Sequence, residues 1–314
     1  MSTRTDELRM IDPVLTTVAQ GYSNNNFIAE KLFPTVGVKK LKGQIPKFGK
    51  EAFIIRDTNR AVRADSNRIP PLDLELISYE TKERDVEMAI DYLEEEESAD
   101  FTRYETQVAK DLVDTLALGK EKEAADLVQD PSNYISQLKN EIQPAGAFDD
   151  YNNAVNPLEA IRAACSSVRS RIAKFPNTMV MGYSAYQTLI NHPKILDNVE
   201  YSGLSKVNLK ILSELTDIRN IYVGKAVESV DGNTFSDIWG DNIIIAYVDE
   251  NERSKRSEFN PSFGYTIQRK NKPEIDTYYE NGGKLKVIRN TDNYDLKITA
   301  SDAAFLIYNI NHNS

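Results

Sequence analysis

Cysteine and histidine are nearly missing from this 314-residue chain, which has one of the former, Cys165, and two of the latter, His192 and His312. A lone cysteine excludes an intrachain disulfide and points to a reducing compartment. Neither histidine has a carboxylate or cysteine at the spacing of a metal site or a Cys–His pair, so zinc chemistry and thiol catalysis have no residues to rest on. His192 stands in an Asn-His-Pro helix stop, and His312 falls in the expected C-terminal fray. Long apolar runs are missing too. None approaches the ~20 residues that cross a bilayer, and the polar, mixed-charge stretch Met1–Asp12 is no secretory signal. There is no glycine-rich phosphate loop, internal repeat or low-complexity tract.

Three features imitate chemistry and fall short. Gly182-Tyr183-Ser184-Ala185-Tyr186 follows a strand and precedes a helix, as a nucleophile elbow does, but it lacks the second glycine. His192 is also too near for a standard triad order, so Ser184 reads as a helix N-cap, with a soluble enzyme built on Ser184 as the alternative. Asp231-Gly232-Asn233 opens like a calcium loop, yet position five is Phe235 and the closing glutamate is replaced by Asn242, so it reads as a turn. Cys165 lies on the apolar face of a helix, the place of a core residue. No catalytic, cofactor-binding or metal-ligating residue is assigned.

What the chain does contain is ordinary in bulk and uneven in distribution. With 40% hydrophobic and 27% charged residues it is composed like a soluble globular protein, long enough for one large core or two modest ones. A pI near 5.0 argues against a dedicated nucleic-acid binder, which needs a basic face. The formal charge of −10 is concentrated. Residues 73–100 hold twelve carboxylates against two bases, Lys82 and Arg84, which equals the net charge of the whole chain. Within this stretch Glu94, Glu95, Glu96 and Glu97 either solvate a helix start and stabilise its dipole or meet a partner, and both roles are compatible.

The most informative segment is 43–90, which reads as a long two-stranded hairpin. Its ascending arm runs from Gly43 through Ile45, Phe48, Phe53 and Ile55. Its tip carries Arg56, Arg60, Arg63 and Arg68. Its descending arm alternates at Leu72, Leu74 and Leu76 and again at Val86, Met88 and Ile90. A lone hairpin is marginal in water, so the expected partner is another copy of the chain. A basic tip and an acidic base on one subunit suit head-to-tail contact.

Around it, residues 1–42 read as an extended arm broken at Asp12-Pro13, Gly21 and Asn24-Asn25-Asn26, with an anchor at Phe27, Ile28, Leu32 and Phe33. Ser98 is placed as the cap of a helix reaching about Gln129, striped by Phe101, Tyr104, Val108, Leu112 and Leu116. At ~30 residues it would extend about 45 Å, and Gly119 weakens its middle by roughly 1 kcal/mol relative to Ala. An irregular connection (130–155) leads to a helix opened by Asn156, Pro157 and Glu159. The alternating strands and helices of 151–250 predict an α/β unit, and β structure returns beyond Pro261.

This order of parts resembles the major capsid proteins of tailed bacteriophages, a fold shared with encapsulins and the floor of herpesvirus capsids. The resemblance is carried by Ile28-Ala29-Glu30-Lys31-Leu32-Phe33-Pro34-Thr35-Val36-Gly37-Val38, by Gly43-Gln44-Ile45-Pro46-Lys47-Phe48, by Asn177–Gly182 with His192-Pro193, and by Ala303-Ala304-Phe305-Leu306-Ile307, the last taken as a peripheral strand. It implies an α+β fold with an N-terminal arm (1–42), an extended hairpin loop (43–90), a peripheral domain with a spine helix (91–150), an axial domain (151–250) and return strands of the peripheral domain (251–314). It further implies self-assembly as hexamers and pentamers into an icosahedral virion head around phage double-stranded DNA. Assembly would take place in the host bacterial cytoplasm, with a separate scaffolding protein, a portal and a decoration protein as partners, weak non-specific DNA contact and no membrane. The loop near Asp231 would point at the five-fold and six-fold centres, and Lys47 and Lys50 hold the position of a crosslinking lysine. An encapsulin-type compartment shell is the alternative.

Overall fold

The computed structural model describes residues 10–21, 24–46, 59–60, 65–67, 75–97, 101–151, 156–200, 207–252, 255–256 and 260–312. Two sheets organise them, with one long helix belonging to both. The arm is less extended than its breakers imply. After a short strand β1 (Met10–Ile11), Asp12 and Pro13 open a helix, α1 (Pro13–Gly21), instead of interrupting the chain. The Asp12 carboxylate accepts from the backbone N–H groups of Val14 and Leu15, both at 2.9 Å, and proline at the first turn has no N–H to leave unsatisfied. Leu15 and Ala19, four apart and buried, set its inner face. The short helix α2 (Ala29–Leu32) and strand β2 (Thr35–Val38) complete the arm.

Strands β3 (Lys42–Pro46) and β4 (Leu76–Glu80) pair antiparallel as the root of the hairpin. The expected descending arm ends there. β5 (Lys82–Asp91) leaves the hairpin and pairs along its length with a strand near the C-terminus. Its inward positions, Val86 and Ile90, cover the long helix while Glu83, Asp85 and Glu87 face out, which is the pattern of a sheet strand with one buried side. The root is not without a core either: Ile45 and Tyr79 pack on Val36, Val38, Tyr265 and Ile267. Phe48, Phe53, Ile55, Leu72 and Leu74 lie outside the described residues.

A short acidic helix, α3 (Tyr92–Glu97), precedes the long α4 (Phe101–Gln129); Ser98 is outside the described residues. The stripe read from sequence is buried at Val108 and Leu112 but not at Tyr104, which is 38% exposed. After β6 (Lys139–Glu141), α5 (Pro157–Ile172) opens as expected, with Asn156 Oδ1 accepting from Leu158 N. Cys165 is buried on its inner face, and burial pushes its thiol up to about 11. There follow β7 (Thr178–Gly182), α6 (Tyr183–Asn191), α7 (Pro193–Glu200), α8 (Leu209–Thr216) and β8 (Asn220–Gly224). Gly182, not Ser184, is the cap of α6, and the Ser184 hydroxyl accepts from Asn311 Nδ2. His192 is buried between α6 and α7 and accepts from Lys194 N through Nδ1.

A small hairpin, β9 (Val227–Glu228) with β10 (Ser236–Asp237), leads to β11 (Ile243–Ala246). Strands β12 (Gly264–Arg269) and β13 (Glu274–Glu280) then run antiparallel to the long β14 (Leu285–Ile298). The first sheet has the order β1-β13-β14-β12-β2, with β5 also on β14. The second is β6-β15-β11-β7-β8, where β15 is Ala304–Tyr308. The closing strand, expected as a strand of the peripheral domain, thus shares its sheet with β7, β8 and β11 of the 151–250 unit. Its continuous run Ala-Phe-Leu-Ile is buried throughout and takes an interior place between β11 and β6, in a sheet covered on both sides. His312 is not frayed: its Nε2 lies 2.7 Å from Ile142 O.

The long helix joins the two halves. Its first part, with Val108, Ala109, Leu112 and Val113, packs with α1 on Ile90, Ile275 and Ile288 of the first sheet. Its end, with Ala124, Ala125 and Val128, is buried in the core around the second.

Candidate intersubunit surfaces

The junction of arm, long helix and second sheet is held by one carboxylate. Glu121 is 1% exposed and accepts from Ile28 N at 2.9 Å, Ala29 N at 2.8 Å and Trp239 Nε1 at 2.7 Å. Burial raises its pKa, against the lowering effect of those three donors. Trp239, the chain's one tryptophan, needs a glycine opposite: a Cβ at Gly224 would come within 2.2 Å of the indole. Gln129 adds a second tie, accepting from Gly240 N and donating to Ile238 O. Sequence reading passed over Glu121. The available signal was its phase, three and four residues before Ala124 and Ala125 on the buried face.

Of the residues assigned to subunit contact, Arg56, Arg63 and Arg68 lie outside the described residues, as do Lys47 and Lys50; Arg60 is described and exposed. Glu94, Glu95, Glu96 and Glu97 are all exposed on α3, a helix with no basic residue in its last turn. Dipole stabilisation accounts for glutamates in the first turn of α3 and is opposed in the last. Leu93, 53% exposed, stands beside them.

Asp231 organises the turn between β9 and β10 more than it presents itself. Its Oδ1 accepts from Asn233 N at 2.9 Å and Thr234 N at 2.7 Å, and its Oδ2 from Thr234 Oγ1 at 2.8 Å. These bonds, that of the Thr234 N–H first, hold the carboxyl well below the usual carboxylate range. The neighbours it displays are apolar: Val230 is fully exposed and Phe235 67% exposed. The turn was legible in the sequence; the two exposed apolar residues were not singled out.

Among the described residues no group of three or more His, Cys, Asp or Glu is arranged to hold a metal ion. No described helix is long and apolar enough to cross a membrane.

No family model matches the chain. It is 40% identical over 309 residues to the major capsid protein of Burkholderia phage BcepMu, spanning 98% of this chain and 99% of that one. A phage-related protein from Bordetella bronchiseptica RB50 superposes with a TM-score of 0.81 at 27% identity, covering 96% of this chain and 98% of its own. The mature capsid of bacteriophage PhiM1, at 12% identity and a TM-score of 0.55, covers 91% of this chain and 88% of its own and has the same fold. The chain belongs to the tailed-bacteriophage major capsid protein family. Its role is structural, as a protein of the capsid shell.

Proposed function

We propose that the chain closes into hexamers and pentamers that tile an icosahedral head around phage double-stranded DNA. The long helix and first sheet are assigned to the peripheral domain, and the second sheet with its helices to the axial domain. In this arrangement the Asp231 turn, with Val230 and Phe235, faces the centre of each ring. The hairpin, with Arg56, Arg60, Arg63 and Arg68 at its tip, lies across the adjacent subunit. Glu94–Glu97 form a further contact surface. Weak individual contacts suffice, because many per subunit act together. A separate scaffolding protein, a portal and a decoration protein are the expected partners, and assembly takes place in the host cytoplasm.

The observation that supports this reading is the pairing of near full-length family identity with apolar and acidic groups left exposed at separate places, the β9–β10 turn and α3. Sedimentation and electron microscopy of the purified protein, alone and with its candidate scaffold, test it. Closed shells or five- and six-membered rings are the expected result; a stable monomer or dimer under both conditions would overturn it.

A further inference from the structure

We propose that a basic groove at the root of the hairpin is the docking site for the acidic helix α3 of an adjacent copy, an inference that rests on the shell reading above. The groove encloses about 660 Å3 where β2 turns toward β3 and β12 turns toward β13. Lys39, Lys40, Arg256, Arg269 and Lys270 line it, and no described carboxylate does. Five cations in one concavity stand out in a chain whose net charge is −10, and of the five Arg256 also borders the neighbouring groove that holds Glu30, Asp249 and Glu250. The next lysine along is already neutralised, since Lys272 Nζ lies 2.8 Å from Glu274 Oε1. Arg256 Nε is a buried donor with no acceptor among the described residues, a second sign that an anionic group belongs here. Gly37 serves the same site by allowing the Lys270 stem to lie over it, where a Cβ would meet Lys270 Cγ at 3.3 Å.

The ligand is a protein carboxylate cluster of this same chain, and geometry decides that it comes from another copy. Tyr294 of β14 pairs with Gln268 on one side, next to the groove residue Arg269, and with Lys82 on the other. Leu285, at the opposite end of the same strand, pairs with Asp91, the residue before α3. Nine residues at about 3.4 Å each separate the two ends by roughly 30 Å, so a subunit cannot fill its own groove with its own α3. Two different, complementary surfaces on opposite ends of one rigid ladder define a heterologous contact, the kind that closes rings. The cations gather in a single concavity instead of forming the extended track that a phosphate backbone follows.

The full-length chain tests this through a cysteine pair, Lys40→Cys with Glu95→Cys, since native Cys165 is buried. Oxidised particles should give a ladder of crosslinked oligomers on denaturing gels, and neither single variant should. In parallel, K39E/K40E/K270E and E94K/E95K/E96K should each lower particle yield roughly tenfold near physiological salt, and their combination should restore most of it. Unchanged melting curves in each exposed-residue variant exclude misfolding as the cause. Normal shells without a ladder, or reversals without effect, overturn the docking while leaving the shell reading intact. A ladder formed instead by R60C/E95C assigns α3 to the hairpin tip and overturns it equally. Intact shells with reduced DNA content make nucleic acid the ligand. Failure of the wild type to form any shell overturns the underlying reading itself.

Discussion

β11 and β5 are both sheet strands packed on a helix, β11 on α5 and β5 on the long α4, yet they are built to opposite specifications. Ile243, Ile244, Ile245 and Ala246 are all fully buried, because β11 lies inside a sheet covered on both faces. β5 buries Ile90, half-buries Val86 and leaves Met88 40% exposed, with its other face charged. The first strand completes its contacts within the subunit, whereas the second, with α3 after it, leaves surface for a partner. In a shell protein the interior and the assembly surface are thus separable, and substitutions should sort accordingly.

The largest effect is expected at Glu121, where Glu121→Ala strips the acceptor from two backbone N–H groups and an indole N–H in the interior. Leaving them unpaired should cost roughly 3–5 kcal/mol, measured by denaturant unfolding. Ile244→Ala removes a fully buried branched side chain from β11 and should cost about 3 kcal/mol in the same assay. A loss below about 1 kcal/mol would show that the second sheet can relax around the cavity and would weaken the contrast.

A smaller effect follows from charge. Burial raises the pKa of Glu121, so its contribution is fully present while it is protonated in both states, below the ordinary carboxylate range. That contribution is lost as pH rises through the raised value. Glu121→Gln should therefore show a flatter decline in stability from about pH 5 toward neutrality than the wild type. Asp231 has the opposite sign: its lowered pKa favours the ordered turn above the usual carboxylate range, and that order is lost in acid. Smallest for stability are Val230→Asp and Met88→Thr. Both should change unfolding free energy by less than about 0.5 kcal/mol, and Val230→Asp should reduce ring formation in sedimentation.

Much of the second sheet and its helices was legible because its signals are local. Asn156-Pro157 with Glu159 opens a helix, and Thr178–Met181 and Ile243–Val248 are short apolar runs between turn residues. The arm and hairpin were harder. Asp12-Pro13 is both a chain breaker and a helix start, and only the Leu15–Ala19 contact with the long helix selects the second role. Val86, Met88 and Ile90 alternate equally well in a hairpin arm and in a sheet strand; hydrogen bonding to β14 makes the choice. The basic groove had no linear signature, since Lys39, Lys40, Arg256, Arg269 and Lys270 come from three separate parts of the chain.

By itself the sequence determined the helix opening at Asn156-Pro157, the buried positions Val108 and Leu112 of the long helix, the buried strands at Thr178–Met181 and Ile243–Val248 and the concentration of negative charge in 73–100, because periodicity, capping and charge are read over neighbouring residues. Only the tertiary structure decided that β5 and β15 join different sheets from those expected, that Glu121 joins arm, long helix and Trp239, and that five cations meet around one groove. Those outcomes depend on which distant backbone edges and side chains satisfy one another, and such pairings are set by packing in three dimensions.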